Sequence, residues 1–138
     1  KHRPISKGLI IVAASSAMLG PLLKPLDSAQ RNELELSWPG PNTWLVPNRG
    51  LYPDWITGES DEIAIRVTSA PALALLSYRL GRPVVSTSAN PAGAQPARHS
   101  FQVVRYFGRG LVRAPGVVDL EASPSTIRRV GTGEVLRA

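Results

Sequence analysis

Ser86, Ser88 and Asn90 alternate along Pro83-Val84-Val85-Ser86-Thr87-Ser88-Ala89-Asn90-Pro91-Ala92-Gly93, which masses three hydroxyls and a carboxamide within five residues. Such groups can donate to and accept from phosphate or sugar oxygens. No base stands beside them to turn a hydroxyl into a nucleophile, so positioning is the chemistry they offer. The β-branched pair Val84-Val85 predicts a buried strand running into this polar loop. In open α/β sheets, the C-terminal edge of the strands is where ligands collect. The same composition also suits an ordinary turn, because Ser and Asn bond readily to their own backbone. The residues alone leave both readings open.

A second set of groups is cationic. Lys1, Arg3 and Lys7 fall within seven residues that lead into the apolar run Leu9-Ile10-Ile11-Val12-Ala13-Ala14. They fit either a phosphate clamp or a solvated segment. Arg66 lies on Ile63-Ala64-Ile65-Arg66-Val67, whose alternation puts Ala64 and Arg66 on one face and the branched residues on the other. A half-buried Arg needs an anionic partner, which an internal carboxylate or a ligand carboxylate could supply. A further hydroxyl-rich loop, Ser123-Pro124-Ser125-Thr126, enters a strand near the C-terminal end.

Other chemistries are excluded by composition. The 138 residues contain no Cys, and their two His, His2 and His99, stand far apart without spaced carboxylates. Thiolate, disulfide and zinc chemistry therefore lack their ligands, and no metal-ligating residues are assigned. There is no G-x-S-x-G, no Walker A loop and no G-x-G-x-x-G. No residue is assigned a catalytic role. The net charge of +6 comes from sixteen basic residues, of which only Lys1, Lys7 and Lys24 are Lys. Arg offers a planar fork for phosphate and carboxylate, so the balance points to an anionic ligand or polyanion. The longest apolar stretch is too short to span a bilayer, and no secretory signal is visible.

The elements that must position these groups follow from periodicity and punctuation. Leu9 to Ala14 predicts a strand covered on both faces. Asp27 or Ser28 caps a helix through Leu36, with Gln30 spaced for a capping box. Trp38-Pro39-Gly40-Pro41 forces an irregular loop, Trp44-Leu45-Val46 a short strand, and residues 48–58 an exposed loop carrying Trp55. The three Trp fit loop and core anchoring better than base stacking. Pro71 opens a helix with Leu73, Leu76 and Leu80 at helical spacing, closed by Gly81. Residues 63–87 thus form a strand–helix–strand unit, of the kind that makes parallel strands. Ser100 caps a helix through Phe107, Leu111-Val112-Arg113 makes a short strand, and Gly131-Thr132-Gly133 turns a final hairpin. The whole is one α/β domain over residues 1–138.

Taken in order, Lys1-His2-Arg3-Pro4 with Lys7-Gly8-Leu9-Ile10, Trp38-Pro39-Gly40-Pro41-Asn42-Thr43, Ile63-Ala64-Ile65-Arg66-Val67, Ser86-Thr87-Ser88-Ala89-Asn90 with Gly93, and Pro124-Ser125-Thr126-Ile127 with Val135-Leu136-Arg137 resemble the YrdC/TsaC family of threonylcarbamoyl-AMP synthases. The resemblance runs from the first residue to the last. It implies a twisted α/β fold in which a mixed sheet flanked by helices curls around a basic concave face. It also implies that L-threonine, bicarbonate and ATP with Mg²⁺ give threonylcarbamoyl-adenylate and pyrophosphate. That product feeds the N6-threonylcarbamoyladenosine (t6A37) modification of tRNA in the cytoplasm. Other proteins of that pathway, and tRNA itself, are the implied partners.

By the same resemblance, Lys1, Arg3, Ser86, Ser88, Asn90 and Arg137 bind ATP, with Lys7 a weaker match, and Arg66 and Ser125 bind threonine. Two departures stand out. Family members usually carry a further segment ahead of the Lys-x-Arg motif, including a Tyr-Pro-Thr-Glu strand that helps bind threonine, and it is not in this sequence. Pro96 and Ala97 stand where many members place a nucleotide-contacting Ser. The rival expectation is a non-catalytic RNA-binding or ribosome-maturation module of the same fold, carried by the basic charge.

Overall fold

The structure is a computed structural model that describes residues 1, 4, 6–116, 118–120 and 123–137. Six strands form one mixed sheet: β1 (Ile10–Ala13), β2 (Asn42–Pro47), β3 (Glu62–Val67), β4 (Val84–Ser86), β5 (Thr126–Arg129) and β6 (Val135–Arg137), in the spatial order β4-β1-β3-β2-β5-β6. β1 pairs parallel with β3, and β2 parallel with β5; the other three pairings are antiparallel. The helices are α1 (Gly20–Leu23), α2 (Ser28–Ser37), α3 (Asp54–Thr57), α4 (Pro71–Leu80) and α5 (Ser100–Phe107), with a 3-10 turn at Ser16–Leu19.

Side-chain alternation gives the sheet two unlike faces. Ile11, Ala13, Trp44, Val46, Ile63, Ile65 and Val67 point to one face and are buried against Leu19, Leu22, Leu23, Leu26, Leu34 and Ile56. The strand register places Ile10, Ala64, Arg66, Leu45, Ile127, Ser86 and Arg137 on the opposite face. That face carries the site. α2 begins as its sequence predicts: Asp27 Oδ1 accepts from Gln30 N at 2.8 Å, and Gln30 Oε1 accepts from Asp27 N at 3.1 Å. Trp38 and Trp44 belong to the core, whereas Trp55 is exposed.

Several expectations are corrected. The unit over residues 63–87 does not make parallel neighbours, because β1 lies between β3 and β4 and β4 pairs antiparallel with it. β4 is therefore an edge strand, and Val85 is half-exposed instead of buried. β1 is covered on both faces from Ile11 to Ala13, with Val12 buried on the face it shares with Arg66, and only its first residue, Ile10, is half-buried where it meets the cleft. Residues 48–58 include α3, which buries Ile56 and Thr57. Leu111-Val112-Arg113 forms no strand; a lone Val-centred triplet has nothing to pair with there, and Val112 is almost fully exposed. α5 is capped at His99, so Ser100 is its first residue. In α4 the spaced leucines do not enter a core: Leu76 and Leu80 are about half exposed, and Ser77 is the buried residue. Among the described residues, none has an apolar helix long enough to cross a membrane.

Candidate functional site

Two glycines shape the approach to the site. A Cβ on Gly8 would sit 2.7 Å from the Thr57 carbonyl oxygen, and one on Gly58, at φ 74°, would come within 2.3 Å of Gly8 N. Only bare backbone fits there. This contact lets Leu9 N donate to the Ile56 carbonyl at 2.7 Å and seats the chain as it enters β1.

Beyond it opens a 250 Å³ cleft whose lining includes Gly8, Ile10, Arg66, Ser86, Thr87, Ser88, Ser125 and Arg137. Residues from five separate stretches of sequence meet here: the neighbouring β1, β3 and β4 supply three, and the entry to β5 and the end of β6 supply the other two. Of the predicted site residues, Arg66, Ser86, Ser88, Ser125 and Arg137 line this one cleft. Lys1 reaches its rim: Nζ donates to Thr87 Oγ1 at 2.9 Å and to the Ser88 carbonyl, and the Lys1 carbonyl accepts from Ala92 N at 3.1 Å. Asn90 stands behind the loop instead of lining the cleft. Its Nδ2 donates to the Pro91 and Ala94 carbonyls at 2.9 and 2.7 Å, which braces the turn. Arg3 lies outside the described residues.

Arg66 dominates the electrostatics. It makes no hydrogen bond or ion pair with the described residues, and its Nε is buried without a partner. Burial, and next the nearby Arg137 guanidinium, push its pKa below the ordinary arginine value. Among the described residues, no carboxylate lines the cleft to neutralise the two cations. Glu62, on the same strand as Arg66, is engaged by Arg129, whose Nε lies 3.0 Å from Oε1. A half-buried cation whose Nε lacks a partner, set beside a second cation, is costly unless an anion joins it.

Arg137 is held otherwise. Its Nε and Nη2 donate to the Ser125 carbonyl at 3.0 and 2.7 Å, and Nη2 donates to Ser125 Oγ at 3.1 Å. Sequence reasoning did not single out Thr43, whose Oγ1 lies 2.9 Å from Ser125 Oγ in a fully buried position. Thr87 was also passed over. The available signal for Thr43 is a hydroxyl at the polar start of β2, on the face it shares with Leu45 and Ile127.

The fold defines the molecule as an α/β protein with a six-stranded mixed sheet, bearing a cationic, hydroxyl-lined cleft on one face. The particular family follows from comparison. Residues 1–138 match the Sua5_yciO_yrdC family, described as telomere recombination, and the chain belongs to that family. The threonylcarbamoyl-AMP synthase of Cellvibrio japonicus (strain Ueda107) is 49% identical over 138 residues, covering 99% of this chain and 73% of that protein. Its counterpart in Nitrosococcus oceani is 48% identical, covering 99% of this chain and 75% of that protein. A crystal structure of P. abyssi Sua5 complexed with L-threonine superposes with a TM-score of 0.79 at 28% identity, covering 96% of this chain and 39% of that one. The chain thus spans roughly three quarters of the curated relatives' length and well under half of the P. abyssi chain.

Proposed function

We propose that this chain carries the synthase activity of its relatives: L-threonine, bicarbonate and ATP react to give threonylcarbamoyl-adenylate, pyrophosphate and water. Bond accounting sets what the cleft must do. The threonine amine bonds to the bicarbonate carbon with loss of water, and a carbamate oxygen then bonds to the α-phosphorus as pyrophosphate leaves. Each step gathers or displaces anions, so a cleft of fixed cations and hydroxyls suits it without a side-chain nucleophile.

The observation that carries this reading is the unpartnered Arg66 Nε beside Arg137 in a cleft without carboxylates. Arg66 is the residue for the threonine carboxylate, with Ser125 near the same group. Lys1, Arg3, Ser86, Ser88 and Arg137 are the residues for ATP, and Asn90 holds their loop. Cationic and hydroxyl donors do not fit a resident divalent ion, and among the described residues no cluster of acidic or His groups could hold one. Mg²⁺ accordingly belongs with ATP as part of the substrate, carried by the phosphates. The role in t6A37 formation on tRNA, in the cytoplasm and with other pathway proteins, extends the same reading, with residues 1–138 acting as one domain and Arg66, Arg137 and Lys1 as its basic face.

Pyrophosphate release measured with each substrate omitted in turn is the test. It should require both threonine and bicarbonate. Release indifferent to threonine would sink the proposal, and salt-dependent tRNA binding without any response to ATP would replace it with the RNA-binding reading.

A further inference from the structure

A long, largely exposed arginine set beside another cation will not stay in place without restraint. Repulsion drives Arg137 away from Arg66, and holding its rotamers costs side-chain entropy. Its side chain is nevertheless fastened at three points, all of them on Ser125. Ser125 is itself buried, and its hydroxyl is closed by one further group, the Thr43 hydroxyl at 2.9 Å. Thr43 lies on β2, next in register beyond the Trp44–Ile65 pair and therefore alongside the Arg66 end of β3. It does not line the cleft.

We propose that Thr43 is a positioning residue for the anion site. Its hydroxyl selects the Ser125 rotamer, which aims Oγ at Arg137 Nη2, while the Ser125 carbonyl holds Nε and the other Nη2 hydrogen. Nη1 is left as the edge that an anion can share with Arg66. A hydroxyl can accept from Arg137 and still close a second hydrogen bond in either direction, so the chain Thr43–Ser125–Arg137 needs no further group. The kinetic side of this proposal rests on the synthase reading; the orientation of Arg137 does not.

The test therefore follows Arg137 directly. In ¹⁵N NMR of the full chain, the Arg137 Nη2–H should exchange with solvent about tenfold faster in Thr43→Val than in the unaltered protein, with Nε–H held on the Ser125 carbonyl much less affected, and Thr43→Ser should recover most of the protection. Affinity for inorganic pyrophosphate should fall about tenfold in step. The double variant Thr43→Val/Ser125→Ala should lose little more than Ser125→Ala alone, because both act on one chain. Wherever pyrophosphate release is measurable, KM for ATP should rise while melting temperature changes little. Unchanged Arg137 exchange in a folded Thr43→Val protein overturns the proposal, as does full additivity in the double variant. If the unaltered protein releases no pyrophosphate, the synthase reading falls, and the exchange data still decide the role of Thr43. Should Thr43→Val fail to fold, Ser125→Ala alone must release the Arg137 Nη2–H that Oγ accepts; if it does not, the chain of contacts has no positioning role.

Discussion

The two halves of this molecule are packed very differently. Residues up to Thr68, together with Ser125 and Val130, supply the buried apolar and polar positions, with Ile63, Ile65 and Val46 wholly inaccessible. From Pro71 to Pro124, Ser77 is the one buried residue among those described. α4 and α5 have apolar faces in sequence, yet Leu75, Leu76, Tyr78 and Phe101 are largely exposed. The cleft lies on the seam: Arg66 and Ser125 belong to the tightly packed half, Ser86 and Ser88 to the loosely packed one. A site divided in this way has a fixed anion-binding wall and a hydroxyl wall whose position depends on few contacts.

The sharpest way to break that contrast is a pair of truncations. Ile65→Ala should cost about 2–5 kcal/mol in chemical denaturation, and Leu76→Ala no more than about 0.5 kcal/mol. Comparable losses would mean that the α4 half is packed after all. The joint between the halves comes next. Ser77 Oγ accepts from Ala14 N at 3.1 Å and donates to the Arg82 carbonyl at 2.9 Å, so it ties the end of β1 to the segment leading into β4. Ser77→Ala should cost about 1–3 kcal/mol and weaken ATP binding, read by calorimetry, through displacement of the Ser86–Asn90 loop. A stability loss with ATP affinity intact would show that the two halves are not coupled through this residue.

Arg66 gives an effect of opposite sign. Its lowered pKa means that the charged form is disfavoured in the folded protein, a cost present at every pH below that pKa. Arg66→Met should therefore raise ligand-free stability by about 1 kcal/mol, and by the same amount across roughly pH 5 to 9, where guanidinium stays charged. It should also abolish the threonine response in calorimetry while largely sparing ATP. A variant less stable than the parent, or an equal loss for both ligands, would make Arg66 a structural residue. The smallest expected effect is at a helix start in the packed half: Asp27→Ala should cost about 1 kcal/mol of thermal stability by removing the capping box, and Ser100→Ala at α5 next to nothing. Equal costs would erase the distinction.

Legibility in the sequence followed the same divide. β3 and α2 were readable because their patterns are local: strict alternation through Ile63, Ile65 and Val67, and Asp27 spaced three residues from Gln30. β4 and α4 misled for a physical reason. Val84-Val85 and the α4 leucines report that a segment is apolar, but burial needs a partner surface, and periodicity carries no information about where that surface lies. The direction of β4 was lost similarly, because a strand–helix–strand pattern does not encode that β1 inserts between its two strands.

Sequence alone determined the inventory: Arg66 on the polar phase of a half-buried strand, hydroxyls clustered at Ser86–Ser88 and at Ser125, and neither a Cys nor a G-x-S-x-G nucleophile elbow. Those properties belong to residue types and short spacings. Tertiary structure decided that Arg66 and Arg137 share one cleft, that no carboxylate joins them, that Asn90 braces instead of lining, and that Thr43 stands behind Ser125. Apart from the local Asn90 brace, each depends on residues far apart in sequence being brought together, as Thr43 and Ser125 are across 82 positions. Such proximity is set by sheet order and strand direction, which arise from packing the whole chain and are written in no single stretch of it.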